Sequence, residues 1–209
     1  MARTGWVVPS GDTSAGPRSL DASPFAPTWA DRRTPPISLA ELGLDPFARV
    51  LATTDGTVTE LLEAWAGEPV AIGELAQRRE ELLTPVVDLD VAAGVTVLKR
   101  RVVLCGERTR RPLLYAESLI ALDRVPLFIA DGLLIRRTPI GRILRESRLE
   151  TYRELLQLGV ETCGALASSL ALEPHDIVVS RTYRIIAGSQ PIMLINEKFP
   201  GRLSSSLGA

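Results

Sequence analysis

Hydrophobic and polar residues alternate along several stretches of the chain, and this alternation predicts β-strands. Residues 177–200 hold two such stretches on either side of a turn-like segment, Gly188 to Pro191, which predicts a β-hairpin. Residues 95–105 and 112–122 flank a polar turn and predict a second hairpin. Residues 70–79 predict another strand, in which Gly73 marks a bulge or a close approach of two backbones.

Helix signals stand between the strand patterns. Asp45 and Pro46 have the residue types of an N-cap and a first helical position, and they predict a helix over residues 47–53. Thr57 and Glu60 have the spacing of a capping box, and the helix that follows them is expected to end at Gly67.

The remaining segments carry weaker signals. Residues 86–90 predict a short edge strand, and residues 123–135 a loop plus a short helix. A helix is expected to start through Thr138 as its cap and Pro139 in its first turn. Residues 147–159 fit a helix or a strand, with propensity favouring the helix, and residues 161–172 predict a small helix or lid.

Together these elements predict an α+β fold, in which short helices cover one side of an antiparallel sheet of about six strands. The length of 209 residues suits one well-packed domain. Residues 1–43 are rich in proline and are expected to form a mobile arm, residues 44–200 the domain, and residues 201–209 a polar tail.

Two charged residues fall on strand faces that are otherwise apolar. Counting with period two places Glu197 and Arg100 each among three apolar neighbours. The neighbours are Met193, Ile195 and Phe199 for Glu197, and Leu98, Val102 and Leu104 for Arg100. A charge on a core face costs several kcal/mol unless it is paired or bound by a ligand. The pattern predicts a site for a small polar molecule; the alternative is that Glu197 pairs with a cross-strand arginine, and Arg100 with Glu197 or Glu117.

Other residues are weaker candidates. Glu117 is either a second carboxylate of the site or the partner of an arginine. Arg181 and Arg184 lie on opposite faces of one strand, so at most one of them is expected to point inward. The expected helix start at Ile140 and Gly141 offers backbone N–H groups that can bind an anion.

Composition excludes several classes of protein. A net charge of −1 gives no overall attraction to nucleic acid or to anionic lipid. With Cys105, Cys163 and a single histidine, His175, the chain lacks the ligands for a structural zinc site, and no metal is expected. The cysteines are expected to be free thiols. The first residues lack the apolar core of a signal peptide, and no apolar run reaches 18 residues, so we expect a soluble cytoplasmic protein.

Five motifs in order carry a family resemblance: DGTVTELLEAW, LKRRVVLCG, YAESLIAL, TPIGRIL and RTYRIIAGSQPIMLINEKFP. Their order and spacing resemble the bacterial chorismate pyruvate-lyases (4-hydroxybenzoate synthases), in particular the actinobacterial branch that feeds phenolic lipid and polyketide pathways. The resemblance covers about residues 44–200. It implies an antiparallel six-stranded sheet with an enclosed ligand cavity and helical flaps.

The resemblance also implies roles for particular residues. Arg100 corresponds to the arginine that holds the ring carboxylate, and Glu197 to the glutamate that contacts the 4-hydroxyl end. The backbone of Ile140 and Gly141, and the apolar Val58, correspond to further substrate contacts.

One position departs from the family pattern. Glu117 stands where the enterobacterial enzymes carry an arginine, and an acid there cannot bind the second carboxylate of the substrate. Another arginine (Arg142, Arg181 or Arg184) must then bind it, or the substrate or its orientation differs.

The implied reaction is the elimination of pyruvate from chorismate with aromatisation of the ring, giving 4-hydroxybenzoate without a cofactor or metal. The implied partners are this substrate and product; nucleic acid and membrane are not expected, and a monomer is the default. Two alternatives stay open. One is a non-catalytic ligand-binding module with the fold of regulator effector domains, and the other is a related enzyme that gives another hydroxybenzoate.

Overall fold

The computed structural model describes residues 43–135 and 138–203. The prediction of a mobile N-terminal arm therefore lies almost wholly outside the described residues, as does most of the predicted polar tail.

The described residues form six strands and five α-helices. The strands are β1 (Val70–Glu81), β2 (Thr96–Gly106), β3 (Pro112–Ile120), β4 (Tyr152–Thr162), β5 (Ile177–Ala187) and β6 (Gln190–Pro200). The helices are α1 (Pro46–Thr53), α2 (Val58–Ala66), α3 (Leu127–Leu134), α4 (Ile140–Ser147) and α5 (Ala167–Leu170), with 3-10 turns at Val87–Leu89 and Gly164–Leu166. The strands form one sheet in the order β1-β2-β3-β6-β5-β4, and every neighbouring pair is antiparallel. The predicted α+β fold is confirmed.

Both predicted hairpins are present. The β5–β6 turn places Gly188 and Ser189 at φ values of 55° and 68°, which suits a tight two-residue connection between twisted strands. The register between β1 and β2 shifts around Gly73, which confirms the predicted bulge. A Cβ at this glycine would lie 2.5 Å from Cys105 Sγ, so a side chain at this position would displace the cysteine.

Two weaker predictions are corrected. Residues 152–162 form strand β4 rather than the favoured helix, because pairing along the edge of β5 satisfies their backbone groups and outweighs helix propensity. Residues 86–90 form a 3-10 turn closed by a single bridge between Val86 and Val91, rather than an edge strand. The small helix expected in residues 161–172 is present in shorter form, as a 3-10 turn followed by the four-residue α5.

The helix ends agree with the sequence in part. Asp45 caps α1, with its Oδ1 accepting a bond of 2.7 Å from the Ala48 N–H. Gly67 ends α2 in the left-handed conformation (φ 65°), as expected. Thr57 is the N-cap residue of α2, but its side chain makes no capping bond, so the capping box does not form. Helix α4 begins after Pro139 rather than being capped by Thr138.

Two apolar clusters lie on the same face of the sheet. The first joins α1 and α2 to β2, β3 and β6, and the second joins α3 and α4 to β5 and β6. The small helix α5 packs on the other face of the sheet, against Val103 and Tyr115. The expectation that all helices cover one side of the sheet is therefore wrong. Among the described residues the longest helix, α2, has nine residues, and none of the helices there qualifies as a membrane span.

Candidate functional site

A small cavity lies between the two apolar clusters, where the sheet faces α2 and the start of α4. It encloses about 50 Å³. Most of its wall is apolar, and the polar groups come from α2 and the segment before it and from strands β2 to β6. The lining residues are Thr57, Val58, Thr59, Arg100, Val102, Leu104, Leu114, Ala116, Ser118, Pro139, Ile140, Gly141, Arg153, Tyr183, Ile185, Ile195 and Glu197. Arg100 and Glu197 thus line one cavity with Val58, Ile140 and Gly141, the positions that the family resemblance implies, and their roles in binding stay predictions.

Glu197 is held from two sides. Its Oε2 accepts a bond of 2.7 Å from Arg181 Nε, and its Oε1 accepts a bond of 2.9 Å from the Tyr183 hydroxyl. Arg181 and Glu197 face each other in the register of β5 and β6. Both side chains are almost fully buried, with 2% and 9% of their surfaces exposed. The orientation of the carboxylate is therefore set by the neighbouring strand.

Arg181 is anchored beyond this pair. Its Nη1 donates to the carbonyl oxygens of Leu51 and Thr54 at the end of α1, where unpaired carbonyls favour a cation. Burial alone would lower the pKa of Arg181, but the Glu197 carboxylate and Tyr183 together outweigh burial, and the pKa lies above its ordinary value. Arg181 thus stays a cation and provides the counter-charge of the Glu197 carboxylate.

Tyr183 stacks beneath this guanidinium. The Arg181 Cζ atom lies 5.0 Å from the centre of the Tyr183 ring, within range of a cation–π contact. Burial raises the pKa of Tyr183, and the Glu197 carboxylate raises it further. The phenol therefore stays protonated and keeps its hydrogen available to Glu197.

Arg100 approaches the cavity from β2. Only 1% of it is exposed, and its Nη2 donates a bond of 2.9 Å to the carbonyl oxygen of Thr138, just before α4. Helix α4 has no side-chain cap, so its first N–H groups lie beside this guanidinium without intrahelical partners. A buried guanidinium next to a helix N-terminus is a strong environment for an anion.

Gly141 allows α4 to approach α2 at the rim of the cavity. A Cβ at this position would lie 2.6 Å from Thr57 Cγ2 and 2.8 Å from Thr59 Oγ1.

Two of the arginines proposed for the second carboxylate lie elsewhere. Arg142 makes an ion pair of 2.7 Å with Glu63 and ties α4 to α2. Arg184 lies on the face of β5 away from the cavity and pairs with Glu154 at 2.7 Å. Arg181 does point inward, but its N–H groups donate hydrogen bonds to the Glu197 carboxylate and to carbonyl oxygens at the end of α1.

Glu117 also lies outside the cavity, on the opposite face of the sheet. The alternation along β3 turns Leu114, Ala116 and Ser118 to the cavity and Glu117 away from it. Its carboxylate accepts a bond from the Tyr115 hydroxyl. Burial raises the pKa of Glu117, although this hydrogen bond and nearby cations oppose the effect. The structure does not support Glu117 as a carboxylate of this site.

Two residues of the cavity were missed by the sequence reasoning. Tyr183 shares its strand face with Arg181, so period-two counting along β5 could have found it. Arg153 was missed because its segment was left open between helix and strand, so no strand face was counted for it. In strand β4, Arg153 lies on the cavity face opposite Ile185.

The fold and the site define a class of protein: an α+β domain with a small cavity whose largely apolar wall carries charged side chains. Among the residues the structure describes, the charged groups lining this cavity are the guanidiniums of Arg100 and Arg153 and the carboxylate of Glu197. In the described ranges, no group of three or more His, Cys, Asp or Glu side chains is placed to hold a metal ion.

Comparison with known proteins gives the family. Residues 52–207 match the family model described as chorismate pyruvate-lyase, Rv2949c-like. The chain is 34% identical over 160 residues to the chorismate pyruvate-lyase of Mycobacterium leprae, covering 75% of each protein. It is 32% identical over 158 residues to that of Mycobacterium tuberculosis (strain ATCC 25618 / H37Rv), covering 72% of this chain and 78% of the relative. The chain belongs to this family, and the prediction of a carbon–oxygen lyase is confirmed.

Solved structures share the fold. The effector domain of PhnF from Mycobacterium smegmatis superposes with a TM-score of 0.51 at 15% identity, covering 71% of this chain and 94% of that one. The structure of PhnF from the same organism gives a TM-score of 0.52 at 14% identity, covering 74% of this chain and 70% of that one. At such identities the likeness concerns the fold alone.

Proposed function

We propose that this protein converts chorismate to 4-hydroxybenzoate and pyruvate. The observation that carries the proposal is that Arg100 and Glu197, on strands far apart in sequence, line one cavity together with the start of α4. Family membership supports chorismate as the substrate, and the geometry of the cavity supports the position of the ring. A cytoplasmic location and a monomeric state stay predictions.

Arg100 binds the carboxylate on the ring. Its planar donor fork suits a carboxylate, and burial makes the attraction much stronger than it would be in water. The N–H groups of the first turn of α4, at Ile140 and Gly141, add donors from the same side.

Glu197 orients the ring by accepting a hydrogen bond from the 4-hydroxyl. A carboxylate has about four lone-pair sites, so the bonds from Arg181 and Tyr183 leave acceptor capacity for a hydroxyl of the substrate. The apolar wall contributed by Val58, Leu114 and Ile195 packs against the ring.

The conversion of chorismate to 4-hydroxybenzoate and pyruvate is an elimination, so it involves no net oxidation or reduction and needs no redox cofactor. The ring carbon that carries the 4-hydroxyl loses its proton, the electron pair of that C–H bond enters the ring, and the adjacent C–O bond to the enolpyruvyl group breaks. The departing enolpyruvate takes up a proton and becomes pyruvate, while the ring becomes aromatic. Aromatisation supplies the driving force, and the protein holds the reactive conformer and stabilises the charge of the leaving oxygen.

Entry of the substrate requires the cavity to expand. Cavities that hold drug-sized ligands measure roughly 300–1,000 Å³, whereas this one encloses about 50 Å³. Helices α2 and α4 cover the cavity and are joined by ion pairs of 2.7 Å, between Arg142 and Glu63 and between Arg145 and Glu60. We expect this helix pair to act as the flap that the family resemblance implies.

The test is incubation of the purified protein with chorismate, followed by separate measurement of 4-hydroxybenzoate and pyruvate. Equal amounts of both products above the spontaneous background are expected. Arg100→Ala and Glu197→Ala should abolish turnover. Circular dichroism at the assay temperature checks that each variant is folded, because Glu197→Ala also removes the counter-charge of Arg181. Arg101→Ala is the matched control, because its side chain lies on the opposite sheet face from the adjacent Arg100.

Other results would replace the proposal with one of its alternatives. Tight binding of 4-hydroxybenzoate without turnover would indicate a ligand-binding module, as the likeness to the PhnF effector domain allows. A different aromatic product would retain the site and change the pose of the substrate. Normal turnover by Arg100→Ala would contradict the assignment of the ring carboxylate.

A further inference from the structure

The substrate proposed above carries two carboxylates, and Arg100 accounts for one. The three arginines considered for the other are engaged elsewhere: Arg142 with Glu63, Arg184 with Glu154, and Arg181 with Glu197. Among the described residues that line the cavity, the second guanidinium is that of Arg153.

Arg153 and Arg100 reach the cavity from the same face of the sheet but from strands on opposite sides of the central β3–β6 pair. Arg100 lies in a cross-strand row that runs through Ser118, Ile195 and Tyr183. Arg153 pairs with Ile185, two residues beyond Tyr183 and therefore on the same face. Four strand spacings separate β2 from β4, about 19 Å on a flat sheet. Both side chains point inward from these strands and line one cavity, an arrangement that suits a small ligand with an anion at each end.

The two arginines also differ in burial. Arg100 is enclosed at the base of the cavity, whereas Arg153 is half-buried on an edge strand. Arg153 Nη1 donates a bond of 3.1 Å to the carbonyl oxygen of Asp55, in the loop that leads into α2 and its cavity residues. A guanidinium has five N–H donors, so this single bond is compatible with simultaneous binding of a carboxylate.

We propose that Arg153 binds the carboxylate of the enolpyruvyl side chain. This assignment rests on the proposed function and extends it, because it makes the protein selective for a dicarboxylate. The enolpyruvyl carboxylate leaves with pyruvate, so the product 4-hydroxybenzoate retains only the carboxylate held by Arg100. Arg153 therefore distinguishes substrate from product, and it couples substrate binding to the loop before α2.

The test compares chorismate, which has two carboxylates, with 4-hydroxybenzoate, which has one. In Arg153→Gln, kcat/KM for chorismate should fall about 10- to 100-fold, mainly through KM, since a charge-assisted contact is lost. The Kd of 4-hydroxybenzoate, measured by calorimetry, should change by less than about twofold. Arg153→Lys should restore part of the loss. Arg78→Gln is the matched control: it removes an arginine from the other edge strand, β1, outside the cavity, and both constants should stay unchanged.

The outcomes separate the two proposals. An active wild type with unchanged kcat/KM in Arg153→Gln would overturn the assignment of Arg153 alone. Equal weakening of chorismate and 4-hydroxybenzoate would overturn it too, because it would show that Arg153 only supports the loop at Asp55. If the wild type binds chorismate without converting it, the lyase proposal fails, and the ratio of the two Kd values in wild type and variant still decides the role of Arg153. If it does not bind chorismate, both proposals fail.

Discussion

Replacing Arg181 by methionine should destabilise the fold strongly, because it leaves the Glu197 carboxylate buried without its counter-charge. Methionine fills a similar volume and carries no donor. The carbonyl oxygens of Leu51 and Thr54 lose their partner in the same step.

The magnitude follows from burial. Only 2% of the Arg181 side chain and 9% of the Glu197 side chain are exposed, so solvent screens the pair little. Removing one partner of a buried ion pair costs about 3–5 kcal/mol. With a urea m-value of about 2 kcal/mol/M, a loss of about 4 kcal/mol lowers the unfolding midpoint by about 2 M.

The assay is urea unfolding at pH 7, followed by tryptophan fluorescence, on Arg181→Met, Glu197→Gln and the double variant. The double variant should be more stable than the sum of the single losses by about 1–3 kcal/mol, because it leaves no unpaired charge. The surface pair Arg145–Glu60 provides the matched control, since it has the same separation of 2.7 Å and side chains about half exposed. Arg145→Met should cost less than about 1 kcal/mol.

Two results would refute this reasoning. Equal shifts in the midpoint for Arg181→Met and Arg145→Met would show that burial does not determine the strength of the pair. Strict additivity in the cycle would show that Arg181 and Glu197 do not act on each other.

Further predictions concern other parts of the molecule. Gly141→Ala should lower the free energy of unfolding by about 1–3 kcal/mol and reduce turnover, because its Cβ would lie 2.8 Å from Thr59 Oγ1. Adding Thr59→Ala should recover part of the lost stability and part of the lost turnover, measured by urea unfolding and by product formation. Burial raises the pKa of Glu117 above its ordinary 4.5, so the stability contributed by this group is present below that value and is lost as pH rises through the folded pKa. Glu117→Gln should therefore gain stability relative to wild type at pH 7, and a gain equally large at pH 4 in urea unfolding would contradict the shift. Cys105 and Cys163 are buried with raised pKa values, so a disulfide reagent should react with them slowly in the native protein and rapidly in urea, whereas rapid native reaction would contradict their burial.

Local pattern was enough to find much of the fold and the centre of the site. Alternation along a strand depends only on the pleat of the backbone, so it placed Arg100 and Glu197 on inward faces before any strand order was known. The same locality explains why the two hairpins and the bulge at Gly73 were predicted correctly. A tight turn or a bulge is encoded by the few residues that form it.

Tertiary structure decided which charges meet and which segments become strands. Period-two counting identifies a face but does not say which strand lies beside it, so the partner of Glu197 became known only when β5 and β6 paired Arg181 with it. Residues 152–162 become a strand because β5 offers an unpaired edge, and this pairing brings Arg153 to the cavity. Glu117 faces away from the site because the register of β3 turns its neighbours inward. The sequence alone determined which residues carry charge into the core, and the order and register of the strands determined what those charges do there.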